Sequence, residues 1–141
     1  DLKPDSPTLT FNRIGRHISR LVTTKLISNR SPWLAGVEPG QLHVIPASHG
    51  EGRFIASSAQ VAQLAAAGQI STQYVDLEGN PSNDTRYNPN GSIGGVEGLI
   101  SPDGRILGKM AHSERIGPQL YRNVPGDKDQ QIFRSGVQYF L

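Results

Sequence analysis

Alternation of apolar and polar positions with period two dominates the chain, and period 3.6 surfaces only twice. The run ISRLVTTKLI, Ile18 to Ile27, is β-branched and mixed, which predicts a strand, although Ile14, Ile18 and Leu21 also fit a helical spacing. Next, SPWLAGVEPGQ breaks regular structure with two prolines and two glycines, and Trp33 there reads as a packing anchor. LHVIPAS and GRFIAS predict strands on either side of the tight link His49-Gly50-Glu51-Gly52. Ser57 to Gln60 reads S-x-x-Q, a capping box that opens a short helix over AQVAQLAAAG, with Gly68 as its stop and Val61, Leu64 and Ala65 as its buried stripe.

ISTQYVDL predicts a further strand, closed by the turn EGN, and RYNPNGSIGG predicts a loop. VEGLI and RILGKMA flank Pro102-Asp103-Gly104, where proline presets φ and glycine accepts a positive one, so these two runs predict a hairpin. A last amphipathic helix is expected from about Asp129, with Ile132, Phe133, Val137 and Phe140 on one side. Residues 1–10 read as a lead-in or linker and 11–141 as the domain. The sum is β-rich with few helices, an arrangement that suits the later half of an α/β domain better than a complete one.

Composition narrows the class. The 141 residues are 35% hydrophobic with 16 Gly and 10 Pro, which indicates a globular protein with many turns. No apolar stretch approaches the roughly 18 residues needed to span a bilayer, and DLKPDSP lacks the regions of a signal peptide, so a cytoplasmic protein without a membrane partner is expected. The first residue is not methionine and the only Met is Met110, which favours a segment cut from something longer. Net charge is only +2, yet residues 11 to 30 carry Arg13, Arg16, Arg20, Lys25 and Arg30 with no acid among them. Such a stretch is either a solvated or docking face or a module that meets nucleic-acid phosphate, and the poverty of interleaved aromatics favours the former.

Candidate chemistry concentrates at MAHSER. In extended backbone residues i and i+2 project to the same side, so a strand end would hold the His112 imidazole beside the Glu114 carboxylate. If the acid accepts one ring N–H, the other nitrogen is left basic, as required to activate a nucleophile. The alternative is a surface histidine with an acid nearby in a loop after a hairpin. SHGEGRF is a second candidate: glycines among polar residues let backbone groups approach a small ligand, although a plain tight turn has the same composition. A metal site from His43, His49 and His112 is not required by any spacing, and no metal is expected. NPNGSIGG lacks the Lys of a phosphate loop, so Pro89, Gly91, Gly94 and Gly95 are expected to shape a loop beside the site, with Asn88 or Asn90 tolerating left-handed backbone.

SPWLAG, ASHGEGRF, YVDLEGNPS, YNPNGSIGGVEGLISPDGRILGKMAHSER and the terminal IFRSGVQYF together resemble the glutaminase domain at the C-terminal end of large-type phosphoribosylformylglycinamidine synthase, from about Leu9 onward. The resemblance implies a flavodoxin-like α/β fold of the class I glutamine amidotransferases, of which this chain is a β-rich later half, and a Cys, His and Glu triad serving purine biosynthesis. Within the family's Pro-His-Pro-Glu-Arg segment, His112 takes the place of the base and Glu114 that of the orienting acid. Ser48, His49, Gly50 and Glu51 fall in the segment that contacts glutamine. Ala111 and Ser113 replace the two prolines, which is expected to loosen the loop. No Gly-Cys-Asn-Gly-type nucleophile elbow occurs, so the resemblance implies that this chain alone does not hydrolyse glutamine. It implies no cofactor in this chain, with ATP and magnesium bound by the synthetase domain. The implied partners are glutamine, the missing first half of the glutaminase domain and that synthetase domain; a second copy of the chain, giving a homodimer, is the other candidate for the face meant for the missing half.

Overall fold

The computed structural model describes residues 3–141, so the first two residues of the expected lead-in lie outside the described residues. Its strands are β1 (Thr8–Thr10), β2 (Ile18–Leu26), β3 (Leu42–His49), β4 (Arg53–Ile55), β5 (Ile70–Tyr74), β6 (Val96–Ile100) and β7 (Leu107–Lys109), and its helices are α1 (Ser58–Ala66) and α2 (Ile132–Tyr139). The fold is mixed α/β and sheet-rich, as expected. Five strands form one antiparallel sheet in the order β3-β2-β5-β6-β7, and β1 and β4 form a separate antiparallel pair.

β2 is the strand that ISRLVTTKLI predicts, and it lies between β3 and β5. Alternation along it sends Val22, Thr24 and Leu26 inward. LHVIPAS and GRFIAS are both strands, but they do not pair with one another: β3 joins β2, while β4 joins β1. The lead-in is therefore partly structured, because Thr8–Thr10 supplies β4 with its partner. The Pro102-Asp103-Gly104 hairpin forms with Ile100 opposite Leu107 and Gly104 at φ 76°. The turn is further held by Ser101 Oγ donating to Asp103 at 2.5 Å and by the Arg105 N–H donating to the same carboxylate at 3.2 Å.

α1 opens on the capping box, with Ser57 Oγ accepting from the Gln60 N–H and Gln60 Oε1 accepting from the Ser57 N–H, and it ends at Gly68 with φ 65°. Its expected stripe is only half realised. Val61 and Leu64 pack on the cluster of Phe54, Ile70 and Val96, whereas Ala65 is exposed. α2 departs more. It starts at Ile132, and it buries Ile132, Ser135 and Gly136; Phe133, Val137 and Phe140, expected on the buried side, are 62%, 60% and 78% exposed. The reason is close approach: any Cβ at Gly136 would overlap the Trp33 ring, so the small-residue face, not the larger apolar one, meets the short turn of helix at Pro32–Leu34. Trp33 is the packing anchor expected, with its indole N–H donated to Arg105 O at 2.8 Å. No helix among the described residues is long and apolar enough to cross a membrane.

Candidate functional site

His112 follows directly on the end of the sheet. An isolated antiparallel bridge joins Ala111 to Ala47, and the His112 N–H donates to Pro46 O at 2.8 Å, so the segment after β7 crosses to the C-terminal end of β3. Past the bridge the chain does not stay extended as expected but turns at Ser113 and Glu114, with the Arg115 N–H donating to His112 O at 3.3 Å. Ser113 turns inward, its hydroxyl donating to Gln130 Oε1 at 2.6 Å, while His112 and Glu114 share the outer side. The expected pair is formed: His112 Nδ1 lies 2.7 Å from Glu114 Oε1. Burial works against the Glu114 charge, yet its own backbone hydrogen bond and the His112 contact hold the carboxyl below the usual carboxylate range.

Both ring nitrogens of His112 face acceptors, Glu114 Oε1 at Nδ1 and, 3.3 Å from Nε2, Ser48 O at the end of β3. The replacement of prolines was expected to loosen this loop. Ser113 instead ties it to Gln130, which reaches on to Thr24 Oγ1 at 3.4 Å, and Ala111 is bound into the bridge with Ala47.

Of the four residues expected to meet glutamine, Ser48 lies closest to the imidazole, through that carbonyl. Its hydroxyl is 3.1 Å from His17 Nε2. His49 Nδ1 is 3.0 Å from Asn12 Oδ1, which also accepts the Gly52 N–H at 3.3 Å. Asn12 in turn donates to His49 O at 2.7 Å and Arg16 O at 3.0 Å, so one buried amide ties together the chain before β2 and the turn after β3. His49 Nε2 is buried with no hydrogen-bond partner among the described residues. Burial, followed by the charges of His17 and His112, holds His49 below the usual histidine range, against the opposing pull of Glu97. Gly50 and Glu51 complete the turn, with Glu51 exposed.

The NPNGSIGG loop supports this turn from behind. Asn90 Nδ2 donates to Gly52 O at 2.5 Å and to Tyr74 Oη at 3.1 Å. The expectation that Asn88 or Asn90 takes left-handed backbone fails: Gly91, Gly94 and Gly95 adopt it, and both asparagines are buried hydrogen-bonding hubs. Asn88 Oδ1 accepts the N–H groups of Gly91 and Ser92, each at 3.1 Å, so the loop spends these amides internally. His43 is remote from the pair, buried in the sheet with Asp127 Oδ2 3.8 Å away. No group of three or more His, Cys, Asp or Glu among the described residues is placed to hold a metal ion.

Nor do the basic residues of 11–30 make one stripe. Arg20 and Lys25 stand an odd number of positions apart on β2 and so face opposite sides, Lys25 donating to Gly79 O at 3.2 Å and Arg30 to Ala67 O.

Three contributors escaped the sequence reading: Asn12, His17 and Glu97. Glu97, on β6, accepts the backbone N–H groups of Met110 and Ala111 at 3.0 and 2.6 Å. The register of β2 on β3, which sets Ser19 against Ser48, brings His17 in, and no local pattern announces it.

The sequence profile of the CobB/CobQ-like glutamine amidotransferase domain matches residues 1–140. Phosphoribosylformylglycinamidine synthase subunit PurQ of Thermomicrobium roseum is 35% identical over 114 residues, 81% of this chain and 46% of that protein. PurQ of Moorella thermoacetica is 40% identical over 82% of this chain and 47% of its own length. Human phosphoribosylformylglycinamidine synthase is 40% identical over all of this chain, which covers 11% of the human protein. Among solved structures, PurLQS from Thermotoga maritima shares the fold with a TM-score of 0.70 at 24% identity, over 96% of this chain and 54% of that one. The chain thus spans about half the length of the PurQ relatives it matches. A profile that runs through nearly every residue places the chain in the CobB/CobQ-like glutamine amidotransferase domain family, to which it is joined by its similarity to phosphoribosylformylglycinamidine synthases.

Proposed function

We propose that this chain carries the histidine and the acid of a glutaminase that supplies ammonia within phosphoribosylformylglycinamidine synthase, in the cytoplasm. The observation that carries the reading is the 2.7 Å contact of His112 Nδ1 with Glu114, which orients the ring with Nε2 toward the Ser48-His49 turn, where a reacting thiol would have to take the place of Ser48 O as its partner. The nucleophile would be a cysteine thiolate from outside this chain, which contains no cysteine, so the chain alone is expected to be inactive.

In the proposed reaction the thiol proton passes to His112 and the thiolate attacks the side-chain amide carbon of glutamine. The imidazolium returns that proton to the departing nitrogen, and ammonia leaves a thioester. His112 then takes a proton from water as it attacks the thioester, which releases glutamate and regenerates the thiol. Glu114 compensates the positive ring in both halves. Ser48, His49, Gly50 and Glu51 form the proposed glutamine-contact turn, held by Asn12 and by the Asn90 loop. Ammonia would pass to the synthetase part, where ATP and magnesium activate formylglycinamide ribonucleotide for conversion to formylglycinamidine ribonucleotide. The amides of Gly91 and Ser92, already engaged by Asn88, make no phosphate cradle, so no nucleotide step is assigned to this chain.

His112→Ala in the complete synthase is the decisive test. Glutamine-dependent synthesis should fall by three orders of magnitude or more, as expected on removing a base that acts with its nucleophile, roughly 10³ to 10⁶. Synthesis from ammonium salts should persist. If both activities fell together, His112 would not be a glutaminase base.

A further inference from the structure

The geometry points to Glu97 as a positioning residue for His112, a buried carboxylate that fixes the backbone from which the imidazole springs. The inference rests on the glutaminase reading of His112 above. Glu97 lies on β6 with a side chain that is 0% exposed, an unusual place for a carboxylate unless both oxygens find partners. Both do. Oε1 accepts the N–H of Met110 at 3.0 Å and that of Ala111 at 2.6 Å, and Oε2 accepts the Thr72 hydroxyl. Lys109 Nζ, 3.3 Å from Oε1, supplies the compensating charge and donates to Ala111 O at 2.7 Å.

The position of these contacts gives them meaning. β7 ends at Lys109, and beyond it the main chain leaves the ladder toward β3. Met110 N also donates to Glu97 O at 3.1 Å, after which the regular pairing has no further backbone acceptor for Ala111. The side chain supplies it. Two successive N–H groups thus converge on one carboxylate oxygen, and hydrogen bonds to an ionised acceptor are stronger than those to a neutral one. On the far side, Ala111 is bridged to Ala47 and the His112 N–H is taken by Pro46 O. His112 therefore hangs from a segment clamped between β3 and Glu97, and its Nε2 position beside Ser48 depends on both.

Glu97 does not touch the imidazole and its side chain is closed off from solvent, which separates a positioning role from a catalytic one. It also separates Glu97 from residues that only fill space. Removing it frees two buried N–H groups immediately ahead of the base and leaves Lys109 without its counter-charge, so the base should drift while the glutamine-contact turn at Ser48–Glu51, held by Asn12 and Asn90, stays in place.

The test compares Glu97→Ala and the volume-matched Glu97→Gln in the complete synthase. Misplacement of a reacting group by about 1 Å costs on the order of 100-fold, so Glu97→Ala should lower kcat for glutamine hydrolysis by about that factor with KM for glutamine changed less than about threefold. Glu97→Gln retains a carbonyl oxygen for the two N–H groups and should recover most of the loss, leaving kcat about three- to tenfold below that of the unsubstituted enzyme, a neutral acceptor being roughly half as strong as an ionised one. Synthesis from ammonium salts should be unchanged in both. Equal kcat in Glu97→Gln and the unsubstituted enzyme, a defect confined to KM, or a parallel loss of ammonium-driven synthesis would overturn the proposal, and Glu97→Gln decides it even if Glu97→Ala fails to fold. Absence of glutamine hydrolysis in the unsubstituted synthase would be a different result, removing the glutaminase reading itself.

Discussion

At the scale of single residues, the pair His112 and Glu114 was legible because two positions of separation keep the partners local, although it forms in a turn at Ser113 and Glu114 and not on the extended strand end expected. Asn12, His17 and Glu97 were not legible. Each reaches the site through a pairing between distant strands, and an Asn or Glu in isolation carries no mark of the partner it will find. Gly52 shows the same limit from the other direction. As a glycine in a tight link it reads as a turn residue, but in the structure its role is steric, since a Cβ there would overlap the His49 ring. Gly52→Ala should therefore displace His49 from Asn12 and destabilise the protein by about 1 to 3 kcal/mol, the usual cost of overpacking. Urea denaturation measures that loss; an unchanged midpoint and slope would show that the ring moves aside freely.

Elements separate by how much of their definition is local. The β6–β7 hairpin and the start of α1 formed as expected because turn and cap chemistry act within a few residues. Ser57→Ala removes the acceptor for the Gln60 N–H and should cost about 1 kcal/mol, read as a shift in the denaturation midpoint. An effect below a few tenths of a kcal/mol would mean that α1 is held by its contacts with Phe54, Ile70 and Val96 alone. α2 shows where periodicity misleads. Its sequence carries an apolar stripe, but which side of a helix is buried depends on what shape it meets, and here the indole of Trp33 requires the glycine side. The strands LHVIPAS and GRFIAS make the same point for sheets: alternation identified both, and it had no means of assigning β4 to β1 instead of β3.

For the molecule as a whole, the buried histidines give folding a pH dependence whose sign follows from their shifts. Burial lowers His43 from its ordinary value of 6.5, opposed by Asp127, and burial likewise lowers His49. The unfolded chain therefore binds more protons than the native one as pH drops through 6.5, so their stabilising contribution is present above that pH and is lost toward the lower native values. Tm should fall between pH 7.5 and 5.5, and His43→Gln should flatten that fall, because Gln cannot take up the proton. A Tm profile identical in the two proteins would exclude His43 as a source. What the sequence determined by itself was what is set by neighbours along the chain: the positions of β2 to β7 and of α1, the hairpin, the cap, the helix stop, and the nearness of His112 to Glu114, but not β1, whose residues became a strand only by pairing with β4. Only the tertiary structure decided which strands pair, which face of α2 is covered, and that Glu97, Asn12 and His17 converge on the same end of the sheet. The physical reason is that backbone propensity and i, i+2 or i, i+4 spacing act over a few residues, whereas register, burial and the satisfaction of buried polar groups are settled by segments that meet only once the chain has folded.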